Sequence, residues 1–113
     1  MMYEYRGYVR KVYDGDTITV DIDLGFGIHF NGQKLRLLRI NAPEVRGEQR
    51  PHGLVSRDAL RNLIGNKWVV IRTTRDKKGK YGRWLAEVFV DVDDTQINVN
   101  DWLITEGHAV PLE

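Results

Sequence analysis

Val12–Asp23 reads "VYDGDTITVDID", and two patterns meet in it. Asp14-Gly15 is a hairpin-turn pair, because both residues tolerate the left-handed backbone that tight turns require. From Thr17 onward the period becomes two. Ile18, Val20, Ile22 and Leu24 fall on one face, and Thr17, Thr19, Asp21 and Asp23 on the other. That alternation predicts a strand with one face in a core and one in water. The four aspartates divide accordingly: Asp14 and Asp16 belong to a turn, Asp21 and Asp23 to a solvated strand surface.

Working outward, Tyr3–Tyr13 is rich in Tyr and Val and predicts the partner strand. The glycines of "GFG" and "NGQ" mark the next loop. Leu35–Ile40 predicts a third strand that carries Arg36 and Arg39 among leucines. "NAPEVRGEQRPHG" reads as a long polar loop. "SRDALRNLIG" predicts a helix with Ser56 as N-cap, an apolar side of Leu60, Leu63 and Ile64, and Gly65 past its end. Trp68–Thr74 and Trp84–Asp91 read as strands on either side of "RDKKGKYGR". "NVNDWLITEG" predicts a second short helix, capped by Asn98 and closed by Gly107. The order β-β-β-α-β-β-α is that of an OB-type barrel. The expected fold is mainly β with helices: one domain over residues 1–113, a five-stranded OB-fold Greek-key barrel plus two short helices. A small α+β sheet is the competing arrangement.

A chain of 113 residues suits one domain with one modest core. No apolar run approaches the roughly 20 residues of a membrane span. The start, "MMYEYRGYVRKVY", carries no apolar segment of the secretory kind, and the compartment is left open. With no cysteine, disulfides and thiolate-held metals are excluded. The net charge of +1 conceals a strong segregation. Residues 1–33 carry net −2, residues 34–83 net +10 and residues 84–113 net −7. A basic middle between acidic flanks suits a surface that attracts an anionic polymer. His29, His52 and His108 have no spacing that suggests a metal or a triad.

Three stretches stand together: "DGDT" at 14–17, "RLLRINAPE" at 36–44 and "KYGR" at 80–83. In this order and beside these strands they resemble the thermonuclease family, the staphylococcal nuclease-like domains, over about Val9 to Ala109. The resemblance implies an OB barrel and Ca²⁺-dependent hydrolysis of phosphodiester bonds in DNA and RNA at low sequence specificity. It implies one Ca²⁺, with Asp16 as its principal ligand, Asn41 where the family usually has a second aspartate, and Ala42 giving a backbone carbonyl. Asp14 would shape the turn or orient a metal-bound water. Arg36 and Arg83 match the two catalytic arginines, and Glu44 matches the carboxylate that activates water. Lys80 and Tyr81 match residues that contact a substrate phosphate.

That chemistry requires these residue types. Attack by water builds negative charge on the phosphoryl oxygens. Guanidiniums donate paired hydrogen bonds to them and stay charged at any working pH. Donors already aimed at developing charge are commonly worth about 3–4 kcal/mol each. Asn41 supplies an amide oxygen in place of a charge, so weaker Ca²⁺ binding is expected than at a site with two aspartates. The expected partners are DNA and RNA, single strands preferred, with no membrane partner; an oligomer is possible but not indicated. Two alternatives are a non-catalytic OB module that holds single-stranded nucleic acid and a protein-interaction scaffold. Neither needs Asp16, Arg36, Glu44 and Arg83 together, which favours catalysis.

Overall fold

A turn at Gly15–Asp16 joins β1 (Tyr3–Asp14) to β2 (Thr17–Asp23) as an antiparallel hairpin, and neither Asp14 nor Gly15 takes the left-handed backbone expected of the pair. The computed structural model describes residues 3–75 and 84–112. The alternation in β2 does what its period dictates: Ile18 and Val20 are fully buried and Ile22 nearly so. Next comes β3 (His29–Leu37), antiparallel to β2. β4 is Ile40–Asn41, and a 3-10 turn at Gly47–Gln49 leads into α1 (Arg50–Ile64). β5 (Trp68–Arg75), β6 (Trp84–Val92) and β7 (Thr95–Asn98) follow, then α2 (Val99–Thr105) and β8 (Val110–Pro111).

The sheet order is β3-β2-β1-β5-β6-β7, and a parallel pairing of β3 with β6 closes the ring. Five long strands therefore make the barrel, as the OB pattern requires. β7 and the two-stranded β4–β8 ladder are additions that their few residues did not announce. The predicted third strand is divided. β3 stops at Leu37, Arg39 takes a positive φ of 70°, and Ile40–Asn41 pair instead with Pro111 and Val110.

α1 begins six residues before the expected cap. Pro51 sits in its first turn, where a missing N–H costs nothing. Ser56 is therefore inside the helix, and its hydroxyl donates to the His108 carbonyl at 2.7 Å. Leu60 and Ile64 enter the barrel core from this helix. α2 matches its expected ends: Asn98 accepts the Asp101 N–H, and Gly107 closes the helix at φ 77°.

The two aspartates of the outer strand face also shape the backbone. Asp21 is not simply solvated. It pairs with Arg10, and its other oxygen accepts the Gly32 N–H at 2.9 Å. Gly32 has φ 69° and lies where β2 and β3 slip in register between Val20 and Ile22. A glycine in the left-handed region is what such a bulge requires, and Asp21 holds it there. Asp23 accepts the Gly25 N–H in the following turn.

Asn100 ties the second helix to the barrel. It is fully buried, accepts the Val88 N–H at 3.0 Å, and donates to the carbonyls of Leu38 and Ala86 at 2.9 and 3.0 Å. Asn100→Ala leaves a buried donor and two acceptors short of a partner. Urea denaturation should find it less stable by on the order of 3 kcal/mol; a loss under about 1 kcal/mol would mean that water replaces the amide.

Candidate active site

The working end of the barrel is built on the β1–β2 turn. Gly15 lies so close to its neighbours that a Cβ there would sit 2.7 Å from the Ala42 Cβ and 3.0 Å from the Ser56 Cβ. The turn is thus pressed against both the loop after β4 and α1. Asp14 Oδ1 accepts the Asp16 N–H at 3.0 Å, an Asx-type bond that shapes the turn.

Asp16 is 6% exposed and held at every polar atom. Its carbonyl accepts the Leu37 N–H at 2.8 Å. Oδ2 accepts the Ala42 N–H at 2.9 Å, and Oδ1 accepts the Thr17 hydroxyl at 3.1 Å. Arg36 pairs with Thr17 in the β2–β3 ladder, which brings its side chain to the same place. Arg36 Nη2 lies 3.4 Å from Asp16 Oδ2 and 3.3 Å from Asn41 Oδ1. Both contacts exceed the usual 2.9–3.0 Å or so of an N–H···O bond. The guanidinium bridges the two side chains loosely and keeps donors to spare.

Burial, reinforced by the Asp16 carboxylate beside it, pushes the Asp14 carboxyl up to about 6. Two acids share a pocket in which ionising both is unfavourable. Among the described residues Arg36 is the cation that pairs with Asp16.

Glu44 is exposed, and its carboxylate makes no hydrogen bond among the described residues. Its backbone is tightly located. The Glu44 N–H donates to Gln49 Oε1 at 3.0 Å. Gly53, in the first turn of α1, packs directly on the Glu44 carbonyl: a Cβ at Gly53 would lie 2.0 Å from that oxygen. Arg83, Lys80 and Tyr81 lie outside the described residues.

The structure thus brings Asp14, Asp16, Arg36, Asn41 and Ala42 together and sets the Glu44 backbone against α1. Reading the sequence missed the supports: Thr17, Gln49, Gly53 and the close approach at Gly15. One signal for Gly53 was available, since glycine early in a helix costs about 1 kcal/mol against alanine and calls for a packing reason.

Among the described residues no group of three or more His, Cys, Asp or Glu side chains converges. The side-chain oxygens brought together are the buried Asp16 carboxylate and the Asn41 amide, with the Asp14 carboxylate behind them. They are all oxygens and suit a hard cation of loose geometry such as Ca²⁺ rather than a metal that demands nitrogen or sulfur.

Gly→Ala inside an ordinary helix stabilises by roughly 0.5–1 kcal/mol. Gly53→Ala should do the opposite, since the Glu44 carbonyl is backbone and cannot swing aside. Thermal melting should show a clear fall in Tm. An unchanged or raised Tm would mean that α1 and the Glu44 segment are not in contact.

Comparison with known proteins gives consistent matches. The family model for staphylococcal nuclease homologues matches residues 34–113. A thermonuclease of Staphylococcus intermedius is 32% identical over 104 residues, covering 89% of this chain and 56% of that protein. An uncharacterized protein of Methanocaldococcus jannaschii is 30% identical over 128 residues, covering 93% of this chain and 58% of that one. Endonuclease YhcR of Bacillus subtilis is 28% identical over 116 residues, covering 94% of this chain and 9% of the endonuclease. The chain spans little more than half the length of the thermonuclease and of the archaeal protein.

Proposed function

Because the chain belongs to the staphylococcal nuclease homologue family, we propose that it is a Ca²⁺-dependent nuclease that hydrolyses phosphodiester bonds in DNA and RNA with low sequence specificity. The observation that carries this reading is the placement of Arg36. A guanidinium rests against a buried carboxylate and a neutral amide through two long contacts of 3.4 and 3.3 Å. It is positioned, charged and only weakly engaged. A phosphate that arrives between Arg36 and Asp16 offers the guanidinium stronger, bidentate partners than it has at rest.

In this proposal Asp16, the Asn41 amide oxygen and the Ala42 carbonyl hold the ion. When bound, Ca²⁺ supplies Lewis-acid polarisation of a phosphoryl oxygen. The chain's own groups do the rest. Asp16 is fixed by the Ala42 N–H and the Thr17 hydroxyl, so it needs no reorganisation. Arg36 donates to the phosphoryl oxygens as their charge grows. Glu44, exposed and two residues beyond Ala42 in the chain, accepts a proton from the attacking water or orients it. Arg83, Lys80 and Tyr81 are proposed as further phosphate contacts on the strength of the family motif alone.

The direct test is degradation of labelled single-stranded DNA with Ca²⁺, with Mg²⁺ and with chelator. Cleavage in Ca²⁺ that chelator abolishes is the expected result. An oligonucleotide that binds but stays intact in every metal would select the non-catalytic module.

Two variants probe the roles. Arg36→Lys replaces a planar fork by a point charge, so kcat should fall by roughly 10²-fold or more, in line with the loss of one oriented donor. Turnover within a few-fold of wild type would remove Arg36 from the mechanism. Asn41→Asp adds a second carboxylate to the ligand set, and calorimetric titration should find Ca²⁺ bound several-fold more tightly. No gain in affinity would mean that residue 41 is not a ligand.

A further inference from the structure

The barrel has one plugged end and one open end. At the hairpin end α1 covers the interior, where Val9, Ile18, Leu37, Leu60 and Ile64 are all 0% exposed. Cover is lost along β2 away from that end. Ile18 and Val20 are 0% exposed, Ile22 is 7%, and Leu24, next on the same face, is 44%. Around Leu24 stand Tyr3, Phe30 and Trp84, at 56, 51 and 40% exposure. They rim a pocket of about 220 Å³ whose wall includes Leu35 and whose polar groups are Gln33 and Thr73. The strand register confirms that this is barrel interior, because Phe30 pairs with Ile22 and Tyr3 with the buried Thr73.

We propose that this open mouth is a nucleobase subsite, which takes an unpaired base of the polynucleotide whose phosphate lies at Arg36. The inference rests on the nuclease reading above and adds to it the place where a base is held. Continuity with the site supports it. Leu35 on the mouth wall is followed by Arg36, and alternation sends their side chains to opposite sides of β3. Trp84 on the rim pairs with Leu35 and directly follows Arg83 in the chain.

Charge and shape support it too. No lining residue is charged, whereas residues 34–83 of the chain carry net +10. A neutral aromatic slot beside a basic segment matches a flat heterocycle on an anionic chain. An apolar peptide would make no use of the donors that Arg36 has to spare. Tyr3, Phe30 and Trp84 offer rings for stacking, while the Gln33 amide and Thr73 hydroxyl can meet a base edge. A base inside a duplex is paired and stacked and must be extracted before it can enter such a slot. Preference for single strands follows from the mouth.

The test is fluorescence anisotropy with a labelled oligothymidylate of about 12 nucleotides, within the span of one OB barrel, in chelator so that nothing is cleaved. An abasic oligomer of the same length serves as control. Phe30→Ala and Tyr3→Ala alter half-exposed rings on the rim. Each should weaken oligothymidylate binding about tenfold, roughly the worth of one base stack, while wild type and variants bind the abasic oligomer alike. Equal affinity of wild type and both variants for oligothymidylate overturns the proposal. So does a loss of self-association in Phe30→Ala, seen by sedimentation, with oligonucleotide binding unchanged, since the mouth would then belong to a second copy of the chain. A wild-type protein that cleaves nothing in any metal, yet prefers oligothymidylate to the abasic oligomer and loses that preference in Phe30→Ala, rejects the nuclease reading and keeps the mouth.

Discussion

One backbone hydrogen bond organises the working end of this molecule. The Ala42 N–H donates to Asp16 Oδ2, and through it the loop after β4 is fastened to the β1–β2 hairpin. The bond forms only because Gly15 lets the hairpin approach closer than any side chain would permit. Its neighbours extend the constraint. The Asp16 carbonyl takes the Leu37 N–H and so fixes the end of β3, while Thr17 lies opposite Arg36 in the ladder. A buried N–H deprived of its acceptor is left unsatisfied, at a cost of about 1–3 kcal/mol. Without that carboxylate the hairpin, β3 and the loop carrying Asn41 and Glu44 would lose their common anchor.

The arrangement is not one that stability alone would select. Asp16 is buried, its cation lies 3.4 Å away, and Asp14 stands behind it with its carboxyl pushed up to about 6. Burying charge with loose pairing leaves desolvation poorly offset. Acids crowded by burial and by each other, beside an arginine with donors to spare, are the kind of arrangement on which the proposed function rests.

Much of this was legible in the sequence because it is local. Period two in β2, the Asp-Gly turn and both ends of α2 are set by residues within a few positions of one another. Other features depend on contacts distant along the chain. Ser56 looks like an N-cap, but Pro51 opens α1 earlier, and the hydroxyl serves His108, 52 residues away. β4 and β8 are two residues each and exist only as a pair. The roles foreseen for Asp16, Arg36 and Asn41 came from motif resemblance. Their mutual contacts span 5 and 20 residues in sequence, and periodicity carries no information about such contacts.

The strand β3 also shows why the mouth was invisible. Strict alternation places Phe30 on the same side as Lys34 and Arg36, facing out. The bulge at Gly32, held by Asp21, inserts one residue and turns Phe30 inward to pair with Ile22. Beyond the bulge the alternation resumes, with Gln33 and Leu35 on the mouth and Lys34 and Arg36 on the outer face. A slip of one residue would exchange the two sets. In the proposed nuclease this single strand divides the work: its outward residues meet the charged backbone that every nucleic acid presents, and its inward residues meet the base that only an unpaired strand can offer.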